Sequence, residues 1–274
     1  MNPGRHSHHT HGRYLSVSYP ATFSQELYSV VVLPILVLGI VFVVLHLFGS
    51  RQVSVSNITV GTILLGFLTS FVRLLVAFVF ALVFSLPIAL LITRSRLTER
   101  ILLPVFDILQ SVPVLAFFPI IILVFIRYRL LNEAAIFIIF LTMIWNIVFP
   151  LVGGLHTIPE DIKDMARVFK IKGRNYLSKI LVPALVPYIV VGSLMAWAQA
   201  WNIIIVAEVL HTYVPGGGAG DDLFGIGSLL VGTSAGGQPQ AFFYTICVLM
   251  AALIIINMLV WQRLLHYAER FKFD

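Results

Sequence analysis

Six stretches of the chain, at 30–48, 63–92, 101–126, 134–155, 182–210 and 241–264, are apolar over the length of a membrane crossing. A hydrocarbon core of about 30 Å takes roughly 20 helical residues to span. In lipid the backbone must satisfy its own hydrogen bonds, so runs of this kind fold as helices. A hydrophobic share of 59% and a mean hydropathy of +0.98 lie well outside the soluble range. The expectation is an all-α integral membrane protein with six transmembrane helices. The second run is too long for one perpendicular crossing. Residues 57–69 are therefore expected at the outer interface, with Arg73 near that surface and its guanidinium snorkelling to water.

Six crossings put both ends on one side, and the basic residues choose which. With the N- and C-termini cytoplasmic, fourteen Lys and Arg lie inside and three, Arg51, Arg127 and Arg129, lie outside. The 213–240 segment holds no Lys or Arg, as an outer loop should. The net charge of +6 is thus a topology signal, and no nucleic acid partner is expected. Residues 1–29 form a polar cytoplasmic tail, 30–56 a first transmembrane helix and outer loop, and 57–274 the main transmembrane domain. His6, His8, His9 and His11 in the tail have no Cys or acidic residue nearby and read as a polar tail rather than a metal site. The first run is followed by Gly49, Ser50, Arg51 and Gln52 rather than a small-x-small cleavage site, so it is expected to stay as a helix. Cys247 is the single cysteine, which excludes an internal disulfide. Pro34, Pro87, Pro113, Pro119, Pro183 and Pro187 interrupt the spans. Freed carbonyls within a bilayer need neighbouring helices or a water-filled cavity, which suggests a moving bundle.

Charge is scarce, yet nine of the thirty charged residues fall between Glu160 and Lys179. Thr157 followed by Glu160 reads as a capping box, and Glu160 and Asp161 oppose the positive end of the helix dipole. Ile162, Met165, Ala166 and Phe169 then follow helical spacing as an apolar stripe, while Lys163, Arg167, Lys170 and Arg174 present charge elsewhere. Gly173 is the expected stop. Spacing alone leaves two readings equal: an amphipathic helix resting on anionic headgroups, or one that docks on a soluble partner.

The segment DMARVFKIKGRNYLSKILVPALVP, from Asp164 to Pro187, resembles the EAA motif of binding-protein-dependent ABC transporter permeases. Asp164, Met165 and Ala166 stand for Glu-Ala-Ala, and Ile180, Leu181, Val182 and Pro183 for the motif's ending. Lys170 falls where the family usually has glycine, and Gly173 comes three residues later. A non-glycine residue there either avoids positive φ or is strained. The similarity runs from about Thr62 to the C-terminus, through FVRLLVAFVFAL (71–82), SVPVLAFFPIIILVF (111–125), AQAWNIIIVAEVL (198–210) and GIGSLL (225–230), and is greatest to the nitrate/sulfonate/taurine branch.

That resemblance implies a type I ABC importer permease whose 157–179 segment forms a coupling helix seated in a groove of an ATPase. Asp164, Met165, Ala166, Phe169, Lys170, Gly173 and Pro183 would be its coupling residues. It implies two cytoplasmic ABC ATPase subunits, a second permease subunit (this chain or a homologous one) and an extracytoplasmic solute-binding protein. Membrane lipid surrounds it, no cofactor is expected, and the solute would be a small anion such as nitrate, a sulfonate, taurine or bicarbonate. Taking a two-state transporter from 1:99 to 99:1 needs about 5.5 kcal/mol, against roughly 0–1 kcal/mol for an exposed ion pair. Ala166 and Phe169 are therefore expected to matter more than any one of Arg167, Lys170 or Arg174.

The chain lacks Gly-x-x-x-x-Gly-Lys-Ser/Thr, so it is expected not to hydrolyse ATP, and no nucleophile or metal set stands at usable spacing. The glycine-rich 215–222 segment reads as a flexible outer loop, or as one whose Asp221 and Asp222 meet a binding protein or a cation. Asp107, Gln110 and Ser111 either line a polar route or sit at the inner interface with Asp107 paired to Arg96 or Arg100. Gln199, Trp201, Asn202 and Glu208 are pathway candidates, with helix packing as their alternative role, and Glu208 is expected at the outer gate. The rival function is a gradient-driven channel or secondary carrier with a cytoplasmic gating helix. It ordinarily brings more intramembrane charge or internal repeats.

Overall fold

The computed structural model describes residues 58–128, 130–211 and 222–271. The expected first span at 30–48, the histidine tail and most of the glycine-rich loop lie outside the described residues. Among the described residues every regular element is helical. Four helical stretches are long and apolar enough to cross a membrane, and a bent pair makes a fifth if it counts as one span.

Helix α1 (Val60–Ile92) opens at Thr59, whose side chain accepts from the Thr62 N–H. Its 33 residues run on without a break at the expected interface segment. At 1.5 Å per residue that is about 50 Å of helix, well over a bilayer core. Ala77, Ala81, Ser85 and Ala89 recur every fourth residue and are all buried, a stripe that lets another helix approach closely.

Helices α2 (Arg96–Ser111) and α3 (Val114–Ile126) occupy the third apolar run but meet at 84°. Val112 is extended ahead of Pro113, which offers no N–H and disfavours helix in the residue before it. The expected single span is thus bent in two, either as a broken span or as a re-entrant pair. A capping box does occur in the chain, at the start of α2. Ser95 Oγ accepts from the Thr98 N–H, and Thr98 Oγ1 accepts from the Ser95 N–H.

Helix α4 (Leu131–Thr157) packs most extensively on α7 (Val182–Glu208) and next on α1, and these three form the core. Gly192 of α7 lies so near α4 that a Cβ there would stand 2.9 Å from the Asn146 carbonyl oxygen. Between α4 and α7 come α5 (Glu160–Val168), α6 (Gly173–Tyr176) and a π-helical turn at Leu177–Leu181. The widened turn precedes Pro183, whose ring would otherwise press on the preceding turn.

The 213–240 segment, expected wholly as loop, contains α8 (Ile226–Ala235), a short apolar helix with most of its residues buried. Finally α9 (Pro239–Ile256), a second π turn (Asn257–Trp261), α10 (Gln262–Ala268) and a 3₁₀ turn (Glu269–Phe271) make one long stretch lying outside the core.

Candidate functional site

The candidate features lie at opposite ends of α7. Its 27 residues separate them by about 40 Å.

At the far end Glu208 is fully buried, and its carboxylate accepts only from outside its own helix, twice from α1 and once from the start of α8. Oε1 accepts from Ser70 Oγ at 2.6 Å and Arg73 Nη1 at 2.7 Å, and Oε2 accepts from the Gly227 N–H at 2.8 Å. Ser70 Oγ in turn accepts from the Ile226 N–H at 2.8 Å. The first two N–H groups of α8, which no helical carbonyl can reach, are thus met by a carboxylate and by the hydroxyl bonded to it. Arg73 continues the network, with Nε donating to Asn132 Oδ1 at 2.6 Å and Nη1 to the Phe224 carbonyl at 2.9 Å. Helices α1, α4, α7 and α8 are joined through these few side chains.

Arg73 therefore does not snorkel. It is 3% exposed, because a buried carboxylate one helix away neutralises it better than a detour to water. Gly225 is extended, a conformation any residue adopts, yet a Cβ there would run into the Glu208 carboxylate. The glycine is required by proximity. Ser70, Asn132, Gly225 and Gly227 were not singled out as site residues by the sequence. The available signal was an opposite-charge pair, Arg73 and Glu208, stranded within apolar runs, with Ser70 one turn from Arg73.

The other proposed pathway residues take no part in this network. Gln199 and Asn202 are exposed on α7, and Asn202 donates only to the Ala198 carbonyl of its own helix. Trp201 turns inward and stacks on Phe67 with ring centroids 5.6 Å apart. Asp107, Gln110 and Ser111 are exposed on α2. There Gln110 donates to the Asp107 carboxylate at 2.8 Å, and Ser111 to the Asp107 carbonyl at 2.7 Å.

At the near end, α5 is the helix expected from the charged stretch, but its start and stop differ. Thr157 ends α4, donating to the Gly154 carbonyl and meeting the Tyr188 hydroxyl at 2.8 Å, so it does not cap α5. Pro159 holds the N-cap position, with Glu160 and Asp161 still in the first turn. The stop is a Schellman turn at Lys170 rather than at Gly173. Ile171 N–H bonds to the Ala166 carbonyl at 2.9 Å and Lys170 N–H to the Arg167 carbonyl at 3.1 Å. Lys170 itself has φ +52°, so this chain keeps the left-handed position without the glycine that suits it. Gly173, at φ +58°, opens α6.

The apolar stripe divides into two. Ala166 is buried and Ile162 half-buried, whereas Met165, Val168 and Phe169 are 58%, 77% and 70% exposed. The charges pair locally, Lys163 with Glu160 at 3.0 Å and Arg167 with Asp164 at 2.7 Å. Asp164 and Lys170 are exposed, and Pro183 lies half-buried in the first turn of α7. Among the described residues no cluster of three His, Cys, Asp or Glu is arranged to hold a metal.

Residues 81–270 match the binding-protein-dependent transport system inner membrane component family. The chain belongs to that family of ABC permeases, which makes it an inner membrane, multi-pass component and not itself the ATPase. Among its relatives, the nitrate import permease protein NrtB of Leptolyngbya laminosa is 38% identical over 138 residues, 50% of this chain and 48% of that one. The bicarbonate transport system permease protein CmpB of Synechococcus elongatus is 32% identical over 149 residues, 54% of this chain and 52% of that one. A probable ABC transporter permease protein of Brucella melitensis is 24% identical over 200 residues, 72% and 73% of the two chains. The chain spans about half the length of the nitrate and bicarbonate relatives it matches.

Proposed function

We propose that this chain is the permease subunit of an ATP-driven importer that moves a small anion by alternating access, with α5 as the helix that docks on the ATPase. The observation carrying the proposal is the exposed trio Met165, Val168 and Phe169, on a short helix closed by a Schellman turn between two spans. An apolar patch on a charged helix suits a groove in a partner better than water. The ATPase side is then the cytoplasm, with both termini there, and the Glu208 network stands at the outer end beside the binding protein. Six crossings remain the reading if the bent pair counts as one span and the 30–48 run, which lies outside the described residues, is the sixth.

Gln199 and Asn202 support a dimer of permease subunits. Polar side chains exposed on an apolar helix are costly against lipid and suit a water-lined route or a second subunit. Asp107, Gln110 and Ser111 are assigned to the same route on the same ground. The relatives named for nitrate and bicarbonate support an oxyanion as solute, and sulfonate or taurine remain within the same reading.

Detergent co-purification with two ATPase subunits encoded in the same genome tests this. Wild type should capture one of them and Phe169→Asp should lose it. Because Ala166 is buried, a charge there would disturb the chain itself, so Phe169 is the cleaner probe. A monodisperse wild type that retains no ATPase would favour the gradient-driven channel or carrier.

A further inference from the structure

The near end also holds a cavity of about 380 Å³ that no role described above uses. Its walls come from three parts of the chain: Ile162 of α5, Lys179, Pro183 and Ala184 at the entry to α7, and Arg270 and Phe271 after α10. The volume falls within the roughly 300–1,000 Å³ of small-ligand sites. Among the described residues two of the lining side chains are cationic, none is acidic, and the others are apolar. Of the carboxylates flanking it in sequence, Glu160 pairs with Lys163 at 3.0 Å and Glu269 faces His266 at 3.7 Å, while Asp161 does not line the cavity. Among the described residues neither Lys179 nor Arg270 has an ion-pair partner.

The position narrows the ligand. Pro183 and Ala184 stand in the first turn of α7, where the apolar run begins, so the cavity opens at the level where hydrocarbon gives way to headgroups. Basic side chains at that level attract anionic lipid, while the apolar walls suit the carbons below a headgroup. We propose that this cavity binds the phosphate headgroup of an anionic phospholipid, with Lys179 and Arg270 meeting the phosphate. A soluble phosphate ester carries the same charge, but the apolar walls and the membrane level favour the lipid. Ile162 belongs both to the cavity and to α5, so a seated lipid bears on the docking helix. That consequence rests on the proposed function; the binding does not, and it survives a failure to capture an ATPase.

The test uses the full-length chain, delipidated in an uncharged detergent and titrated with phosphatidylglycerol or phosphatidylcholine, with bound lipid read by native mass spectrometry. Wild type should retain phosphatidylglycerol in preference to phosphatidylcholine. Lys179→Gln with Arg270→Gln should weaken that retention roughly thirtyfold, as expected for two charges at a membrane surface. Lys179→Arg with Arg270→Lys should preserve it, and Arg94→Gln, away from the cavity, should match wild type. If the double Gln variant is not monodisperse, Arg270→Gln alone carries the test with a smaller loss. Equal retention by wild type and the Gln variant overturns the proposal. Displacement of the lipid by the same concentration of glycerol phosphate also overturns it, and makes the ligand a soluble phosphate.

Discussion

Two ion pairs of identical length mark the two ends of α7. Arg73 and Glu208 meet at 2.7 Å with 3% and 0% of their side chains exposed, and Arg167 and Asp164 meet at 2.7 Å with 56% and 61% exposed. Distance does not distinguish them, but environment does. The buried pair has given up water and holds four helices through its remaining hydrogen bonds, so removing one partner strands the other. The exposed pair keeps its water and sits within one helix, where either partner can be lost cheaply. One end of the molecule uses charge to fasten helices together; the other carries charge around an apolar patch left exposed.

Glu208→Ala should break this contrast most severely. It leaves the Arg73 guanidinium and the Gly227 N–H buried without their acceptor, and breaking a buried pair costs about 3–5 kcal/mol. Thermal unfolding in detergent should show a large drop for Glu208→Ala and Arg73→Ala singly. The double variant should lose clearly less than the sum, since neither charge is then stranded. Additive losses would mean that the two residues act separately.

Phe169→Ala should have the next largest effect, and on a different quantity. The side chain is mostly exposed, so the thermal midpoint should hardly move. Capture of the ATPase should weaken by about 2 kcal/mol or more if Phe169 is an interface anchor. A stability loss with capture intact would place the side chain in the fold and not at an interface.

Much of this was legible in the sequence, and the misses share a cause. Apolar length marked α1, α4, α7 and the long α9–α10 stretch, and helical spacing marked α5. What spacing could not supply was which neighbour each helix would meet. Arg73 looked like a residue bound for water until α7 brought Glu208 beside it. Met165 and Ala166 share a stripe in sequence, yet only Ala166 is covered, because a stripe is wider than the contact one neighbour makes. Thr157 had the spacing of a cap, but Tyr188 and its own helix took its hydroxyl. Residues 226–235 fell within a segment read as an outer loop for its lack of Lys and Arg, and a helix of ten residues, too short to cross a membrane, can still be buried beside helices that do.

Lys170→Gly sharpens the comparison at the open end by a smaller amount. A non-glycine residue in the left-handed region costs about 1–2 kcal/mol. Glycine at φ +52° should therefore stabilise the turn after α5 by up to about 1 kcal/mol, part of the gain being lost to the freer unfolded chain. Slower amide exchange at Ile171, whose N–H closes the turn, would show it. If exchange there is unchanged or faster, the lysine side chain contributes something that offsets its backbone cost.

Arg167→Ala should do least of all. Its partner Asp164 is one turn back on the same helix, and both remain hydrated, so about 0–1 kcal/mol is the most that stability can lose. Raising the ionic strength should shrink even that, because exposed charges are screened within about 10 Å at 0.1 M salt. The substitution is informative because its geometry matches that of Arg73: the same residue type, the same 2.7 Å contact, the same kind of carboxylate. If ATPase capture is as strong in Arg167→Ala as in wild type while Phe169→Ala has lost it, the partner reads the apolar patch, and the charges beside it serve chiefly to keep the helix in water. If Arg167→Ala loses capture and Phe169→Ala does not, the pair must open on docking so that Arg167 meets a carboxylate of the partner. The exposed end would then fasten by charge as well, differing from the buried end only in when the fastening occurs.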